Sequence, residues 1–478
     1  MTNIPAILLP MADFSQETWW LTAIKATFIV GFLLTSVIMA LWVERRGIGL
    51  LQTRPGPNVH GPFGLFQSIA DALKLVMKED FWLKGADKFI YVLSPFLVAF
   101  SAFMVYSVIP FGPNVEIFGH STPLQLTDMN VAVLYILAIT ALGVYGIVLG
   151  GWSSTSTFPL LGSIRSCAQI ISYELSMGLS LVTVFLVSKS MSTSEIVDAQ
   201  TQVWWMFPLM PAFIIYFISM MGEVNRLPFD LPEAEGELLA GHMIEYSSMK
   251  FAWFFLAEYI NMFNVSAVAT TLFLGGWRAP FGLSYIADGY LNTGFWPILW
   301  FIGKVWFFII MMVWIRATLL RFRYDQFMKF GWKVLIPASL VWLFIVMLSQ
   351  ASAVLWKVDI FTMLNGSIPL RITAYAVIGI LALMIISPFI SLLFAKNKKN
   401  QNKKHENSSD GDSKVKAYGE YASNGFEVDD DGYEIIPNLV QGFPVPALPG
   451  QKLEKSERQK RLEHNQVQQP TENGESND

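Results

Sequence analysis

The feature that most limits what this chain can become is the recurrence of apolar blocks long enough to cross a bilayer. The hydrocarbon core is about 30 Å thick, which an α-helix spans with about 20 residues. Inside it the backbone must bond to itself, so each block is expected to be helical. Such blocks lie at about 19–43, 89–110, 130–150, 168–188, 203–221, 251–274, 295–317, 334–353 and 372–395. Hydrophobic residues make up 53% of the 478 and charged ones only 15%. The mean hydropathy of +0.44 also lies outside the range of ordinary soluble domains. The expected fold is an all-α, polytopic transmembrane helix bundle of eight core spans plus a ninth. The expected division is a membrane core at 1–353, an extra span within 354–395 and a charged tail at 396–478.

Basic residues set the expected orientation. Arg45, Arg46, Arg54, Lys74, Lys78, Lys84 and Lys88 follow the first span, Arg321, Arg323, Lys329 and Lys333 follow the seventh, and "AKNKKNQNKK" follows the ninth. They share one side if the N-terminus lies outside and the tail is cytoplasmic. Lys189, Arg278 and Lys357 are the main exceptions. No removable signal peptide is read at the start. Residues 61–78 carry Phe63, Phe66, Ile69, Leu73 and Val76 at helical spacing, opposite Gln67, Asp71, Lys74 and Lys78. That pattern reads as an amphipathic helix in the membrane interface, with an ordinary surface helix as the alternative. The tail is too polar to fold alone and reads as disordered, with "GFPVPALPG" at 442–450 extended.

The lone Cys167 excludes an intrachain disulfide, and this chain alone cannot hold an iron–sulfur cluster or a Cys-rich zinc site. No phosphate-binding loop, dinucleotide fingerprint or haem-attachment motif is present. Any redox cofactor is therefore expected in a partner, and no metal site or nucleic-acid partner is read.

The remaining candidates are carboxylates. "EVNRLPFDLPEAEGELLAGHMIEYSSMK" at 223–250 holds Glu223, Asp230, Glu233, Glu235, Glu237 and Glu245, offset by Arg226 and Lys250. Acids behind Pro232 suit the first turn of a helix. Glu233 and Glu237, four apart, would also place like charges on one face. Close, desolvated carboxylates hold protons near neutral pH and exchange them when a nearby charge changes. Glu174, Glu258 and Lys304 fall within spans, where charge is costly and marks either a structural pair or a path for ions. His242 reads as a satisfied polar residue rather than a metal ligand. Arg321, Arg323 and Asp325, beside Phe322 and Tyr324, could dock a soluble protein.

Three stretches carry a family resemblance: "ERRGIGLLQTRPGPNVHGPFGLFQSIADALKL", the acidic segment continued to "FAWFFLAEY", and "WIRATLLRFRYDQFMKFGWK". Over roughly residues 19–350 the sequence resembles the ND1-like family of membrane subunits of bacterial NADH:quinone oxidoreductase, respiratory complex I. The resemblance implies a component that forms much of the quinone-access chamber and couples quinone reduction to proton translocation. By position, Arg45, Arg46, Arg54, Phe66, Asp71, Arg226, Asp230, Arg316 and Arg321 match the chamber and arm contact. Glu174, Glu223, Glu233, Glu235, Glu237, Glu245 and Glu258 match the proton-coupling acids. The implied substrate is quinone, with FMN and iron–sulfur clusters in partner subunits. The implied partners are the peripheral-arm quinone-site and iron–sulfur subunits, small membrane subunits, antiporter-like pumping subunits and lipid, in the bacterial inner membrane. The ninth span and tail depart from the family's eight-span core. The competing readings are a homologous component of a membrane-bound hydrogenase or formate-hydrogenlyase-type complex, a secondary transporter, and an inert anchor.

Overall fold

The computed structural model describes residues 12, 14–15, 17–117, 119–201, 203–230, 241–280 and 291–356, and a strand pair at 427–428 and 434–435. Glu233, Glu235 and Glu237, the ninth span and almost all of the tail lie outside the described residues.

The chain is a helical bundle. Its helices are α1 (Trp19–Leu51), α2 (Gln67–Met77), α3 (Lys88–Met104), α4 (Ala132–Ser153), α5 (Thr157–Ser188), α6 (Thr193–Ala199), α7 (Met210–Glu223), α8 (Ser248–Phe273), α9 (Trp296–Thr318), α10 (Tyr324–Phe330) and α11 (Ile336–Trp356). A π-helical turn at Gly331–Leu335 joins α10 to α11. Among the described residues seven helices are long and apolar enough to span, the α10–α11 pair counting as one. The block at 203–221 is the exception. Its helix starts only at Met210 and has 14 residues, about 21 Å at 1.5 Å per residue. Residues before it form turns instead, with the Trp205 amide 3.4 Å from Gln200 Oε1. A two-stranded hairpin, β1 (Asn114–Ile117) with β2 (His120–Pro123), was not read in the sequence.

The packing inverts that of a soluble bundle. Phe28, Leu34, Phe100, Phe307, Trp314 and Phe344 are exposed, while Ser163, Ser166, Gln169, Ser172, Ser176, Ser180 and Thr183 are buried along α5. Without an apolar driving force between helices, close contact and hydrogen bonds hold them. Gln169 Nε2 donates to the carbonyls of Gly222 (2.7 Å) and Phe229 (2.8 Å), and the Ser176 and Ser219 hydroxyls meet at 2.7 Å. Gly146 lets α4 approach α3 so closely that a Cβ there would lie 2.5 Å from Val98 Cγ2. Ser94 Oγ seals the contact by donating to the Gly146 carbonyl at 2.7 Å. The buried tyrosines spend their hydroxyls on backbone carbonyls: Tyr91 on Glu245 (2.7 Å), Tyr173 on Phe327 (3.2 Å) and Tyr216 on Val265 (2.9 Å).

The helix expected within 61–78 forms as a 3₁₀ turn at Pro62–Gly64 followed by α2. Phe63, Phe66, Ile69, Leu73 and Val76 are all exposed, so its apolar stripe faces away from the bundle.

Candidate functional site

Three chain segments bring charge together where α1, α8 and α9 approach. Glu44 ends the apolar part of α1, Arg226 follows α7, and Arg316 sits in the last turn of α9. Glu44 is buried at 5% exposure and serves three donors. Arg226 Nη1 lies 3.0 Å from its Oε1, the Arg316 guanidinium bonds the same oxygen, and the Tyr259 hydroxyl donates to Oε2 at 2.8 Å. Arg226 also stacks 4.3 Å from the centre of the Tyr259 ring, and its Nε lies 3.5 Å from Glu258 Oε1. Burial opposes the charge on Arg226, but Tyr259, Glu44 and Glu258 together hold it protonated. One cation thus touches two carboxylates, 214 residues apart in sequence, each from a different helix.

Beside this cluster lies a cavity of about 520 Å³ lined by Glu44, Arg45, Arg54, Gln67, Arg226, Tyr259 and Arg316, among others. A second, apolar groove of about 1260 Å³ runs between α1, α2 and α8. Leu34, Val37, Ile38, Leu75, Val76, Phe251, Ala252 and Leu256 line it. Leu41, Arg45 and Phe255 line both, so the groove and the charged cavity share walls. Arg45 pairs with Asp71, which fastens α2 over the groove, and Gln67 Nε2 steadies Asp71 at 3.1 Å.

Not every expected residue arrives here. Arg46 points to the 3₁₀ turn, stacked 5.1 Å from the Phe63 ring and donating to the Phe63 carbonyl at 3.2 Å. Phe66 packs over Gly61 and lines neither cavity. Asp230 and Arg321 pair with each other at 3.2 Å, away from both cavity linings. An aromatic contact holds that pair: Phe229 stacks on Phe322, centroids 5.7 Å apart. Glu245 contributes its carbonyl to Tyr91.

Glu174 and Glu223 face one another as like charges across α5 and α7. Thr140 Oγ1 lies 3.5 Å from Glu174, while Glu223 Oε2 is buried with no hydrogen-bond partner. Lys304 joins neither acid. Its Nζ donates to the carbonyls of Leu274 (2.7 Å), Gly276 (2.9 Å) and Arg278 (2.7 Å), capping the end of α8. His242 corrects the expectation of a satisfied polar residue: it is buried, and neither ring nitrogen finds a hydrogen-bond partner. Burial pushes its imidazole down to about 4. Asp198, by contrast, is pushed up by burial against the pull of Arg278.

Sequence reasoning missed Glu44 and Tyr259 as site residues. The signal for Glu44 was an acid placed between an apolar span and two arginines. Tyr259 was visible only as the residue after Glu258.

Two comparisons with known proteins agree with this geometry. The chain is similar to an ND1-like protein of Streptomyces avermitilis, the H component of its NADH-quinone oxidoreductase, 46% identical over 447 residues, 93% of this chain and 90% of that protein. An alignment of that length cannot fit within residues 1–353, so that relative also matches part of the C-terminal extension. The family model described as NADH dehydrogenase matches residues 24–347, which hold α1 to most of α11 and every residue of the Glu44–Arg226–Glu258 cluster. The chain belongs to the NADH dehydrogenase family.

Proposed function

We propose that this chain forms the quinone-access chamber of a proton-translocating NADH:quinone oxidoreductase and transmits quinone reduction to buried carboxylates. The reading gives it quinone as substrate and no cofactor of its own; FMN and iron–sulfur clusters belong to partner subunits. Peripheral-arm subunits would cover the charged side. Small membrane subunits and antiporter-like pumping subunits would continue the bundle in a bacterial inner membrane, with the N-terminus outside.

The observation that carries this reading is the continuity of an apolar groove with a pocket of guanidiniums, one of which is shared by two carboxylates. The groove suits an isoprenoid tail. The headgroup would then meet Arg54, Arg226 and Arg316. Fixed donors aimed at oxygens that gain charge stabilise that charge without reorganising. Two electrons from a partner and two protons convert the quinone to quinol. As negative charge grows on the quinone oxygens, Arg226 is drawn toward them and away from Glu258. Glu258, with its counter-charge withdrawn, takes up a proton. Glu223 and Glu174 offer the next carboxylates.

The test uses the assembled complex carrying Glu258→Gln or Glu174→Gln. Proton uptake per quinone reduced should fall, while NADH oxidation by a hydrophilic acceptor at the peripheral arm is unchanged. Wild-type proton uptake in both variants would sink the coupling role.

A further inference from the structure

Four guanidiniums, those of Arg45, Arg54, Arg226 and Arg316, border the charged cavity with a single carboxylate, Glu44. Arg45 is matched by Asp71, and Arg226 and Arg316 share Glu44. Arg54 is different. It is exposed, its Nε donates to Gln52 Oε1 at 2.9 Å, and among the described residues no carboxylate pairs with it. A neutral headgroup uses such a cation only as a hydrogen-bond donor. A carboxylate would use its charge as well, through the fork geometry that makes guanidinium–carboxylate contacts strong. The apolar groove beside it is lined near its rim by Lys74 and Lys78. A cationic rim draws anions inward.

We propose that this groove and cavity also bind a long-chain carboxylate of the fatty-acid class, its headgroup on Arg54 and its chain between α1, α2 and α8. This ligand excludes quinone and so makes the chamber sensitive to free fatty acid. The inference rests on the reading that quinone occupies the same groove. Charge complementarity chooses the occupant: an alcohol of equal length gains only the apolar contact, and an alkylammonium is repelled. A single-chain acid is favoured over a two-chain phospholipid because the headgroup must pass the residues common to groove and cavity, Leu41, Arg45 and Phe255.

The experiment uses the intact complex in nanodiscs, with a photoreactive palmitate analogue and the matching photoreactive alcohol. Labelling by the acid should map to α2 and α8 residues that line the groove and should be displaced by excess long-tailed quinone. Arg54→Gln should lower labelling by the acid about tenfold relative to labelling by the alcohol, the scale of one charge-assisted hydrogen bond. Arg54→Lys should restore most of it. Groove labelling that quinone fails to displace would keep the fatty-acid site and overturn the quinone reading. A photoreactive quinone that labels the groove where the acid does not would overturn this inference and keep the quinone reading. Equal labelling by acid and alcohol, indifference to Arg54→Gln, or displacement by phosphatidylglycerol but not by palmitate would each overturn it as well.

Discussion

Helix α9 carries one cation in its first half and another in its last turn, and the two are used in opposite ways. Lys304 is buried and gives its protons to three backbone carbonyls at the end of α8. Arg316 lies about 18 Å further on at 1.5 Å per residue, and shares Glu44 with the buried Arg226 beside an open cavity. Burial alone therefore says little about function. Lys304 is satisfied by partners that cannot titrate or move. Arg226 is held between two carboxylates, and either one could take a larger share of it at little geometric cost. The second arrangement can respond to a ligand, and the first can only hold the fold.

The contrast is broken most severely by removing the charge at each end. Arg226→Leu leaves Glu44 and Glu258 with less counter-charge, and breaking a buried pair costs about 3–5 kcal/mol. Quinone reductase activity of the assembled complex should fall by two orders of magnitude or more. Lys304→Met orphans three carbonyls at about 1–3 kcal/mol each. It should lower the thermal stability of the complex, yet leave the KM for quinone in the surviving fraction unchanged. A raised KM in Lys304→Met, or normal activity in Arg226→Leu, would erase the distinction.

His242 extends the comparison to pH. It lies outside the α-helices, is buried, and is pushed down to about 4 from an ordinary 6.5. The unfolded chain takes up a proton as pH falls through 6.5, and the folded chain does not until about 4. Stability is thus full above 6.5 and declines between 6.5 and 4, by roughly 3 kcal/mol at 1.36 kcal/mol per unit. His242→Phe should flatten that part of the melting-temperature profile between pH 7 and 5. An unchanged profile would mean that the imidazole finds a partner in the assembly.

How far these contrasts could be read from the sequence differs by level. The apolar blocks located the spans because bilayer thickness fixes their length. The boundaries failed where polar residues are helical. The block at 168–188 belongs to a helix that starts at Thr157, because Ser163, Ser166 and Gln169 face neighbouring helices rather than solvent. The opposite failure occurred at 203–209, apolar but folded as turns before Met210. Arg226 and Arg316 were found through motif resemblance. Glu44 was not, since its role depends on three segments meeting, which no local pattern encodes.

A smaller effect separates the wall of the groove from its surroundings. Leu75 lines the groove and Phe66 does not. Leu75→Asp should raise KM for long-tailed quinones about tenfold, near the ~1.4 kcal/mol equivalent, with less effect on short analogues. Phe66→Asp should change both by less. A larger loss in Phe66→Asp would move the tail path to the exposed side of α2.

The smallest effect is expected at a charged pair that resembles the Glu44 cluster in composition but not in setting. Asp230 is buried at 4% side-chain exposure, while its partner Arg321 is exposed at 38%. Solvent screens a pair of that kind, so it contributes about 1 kcal/mol or less. It lines neither cavity. Its geometry ties the segment after α7 to the start of α10, together with the Phe322 amide bonding the Pro228 carbonyl at 3.1 Å and Phe229 stacking on Phe322. Those contacts remain when the guanidinium is removed. Arg321→Ala should therefore lower the melting temperature of the complex by a few degrees at most and leave the KM for quinone within twofold. The same substitution at Arg316, which reaches Glu44 and the cavity wall, should raise KM well beyond that. If Arg321→Ala raised KM as much as Arg316→Ala, the headgroup would be reached from the Asp230 side, and the cavity beside Glu44 would lose its claim to be the place where quinone is reduced.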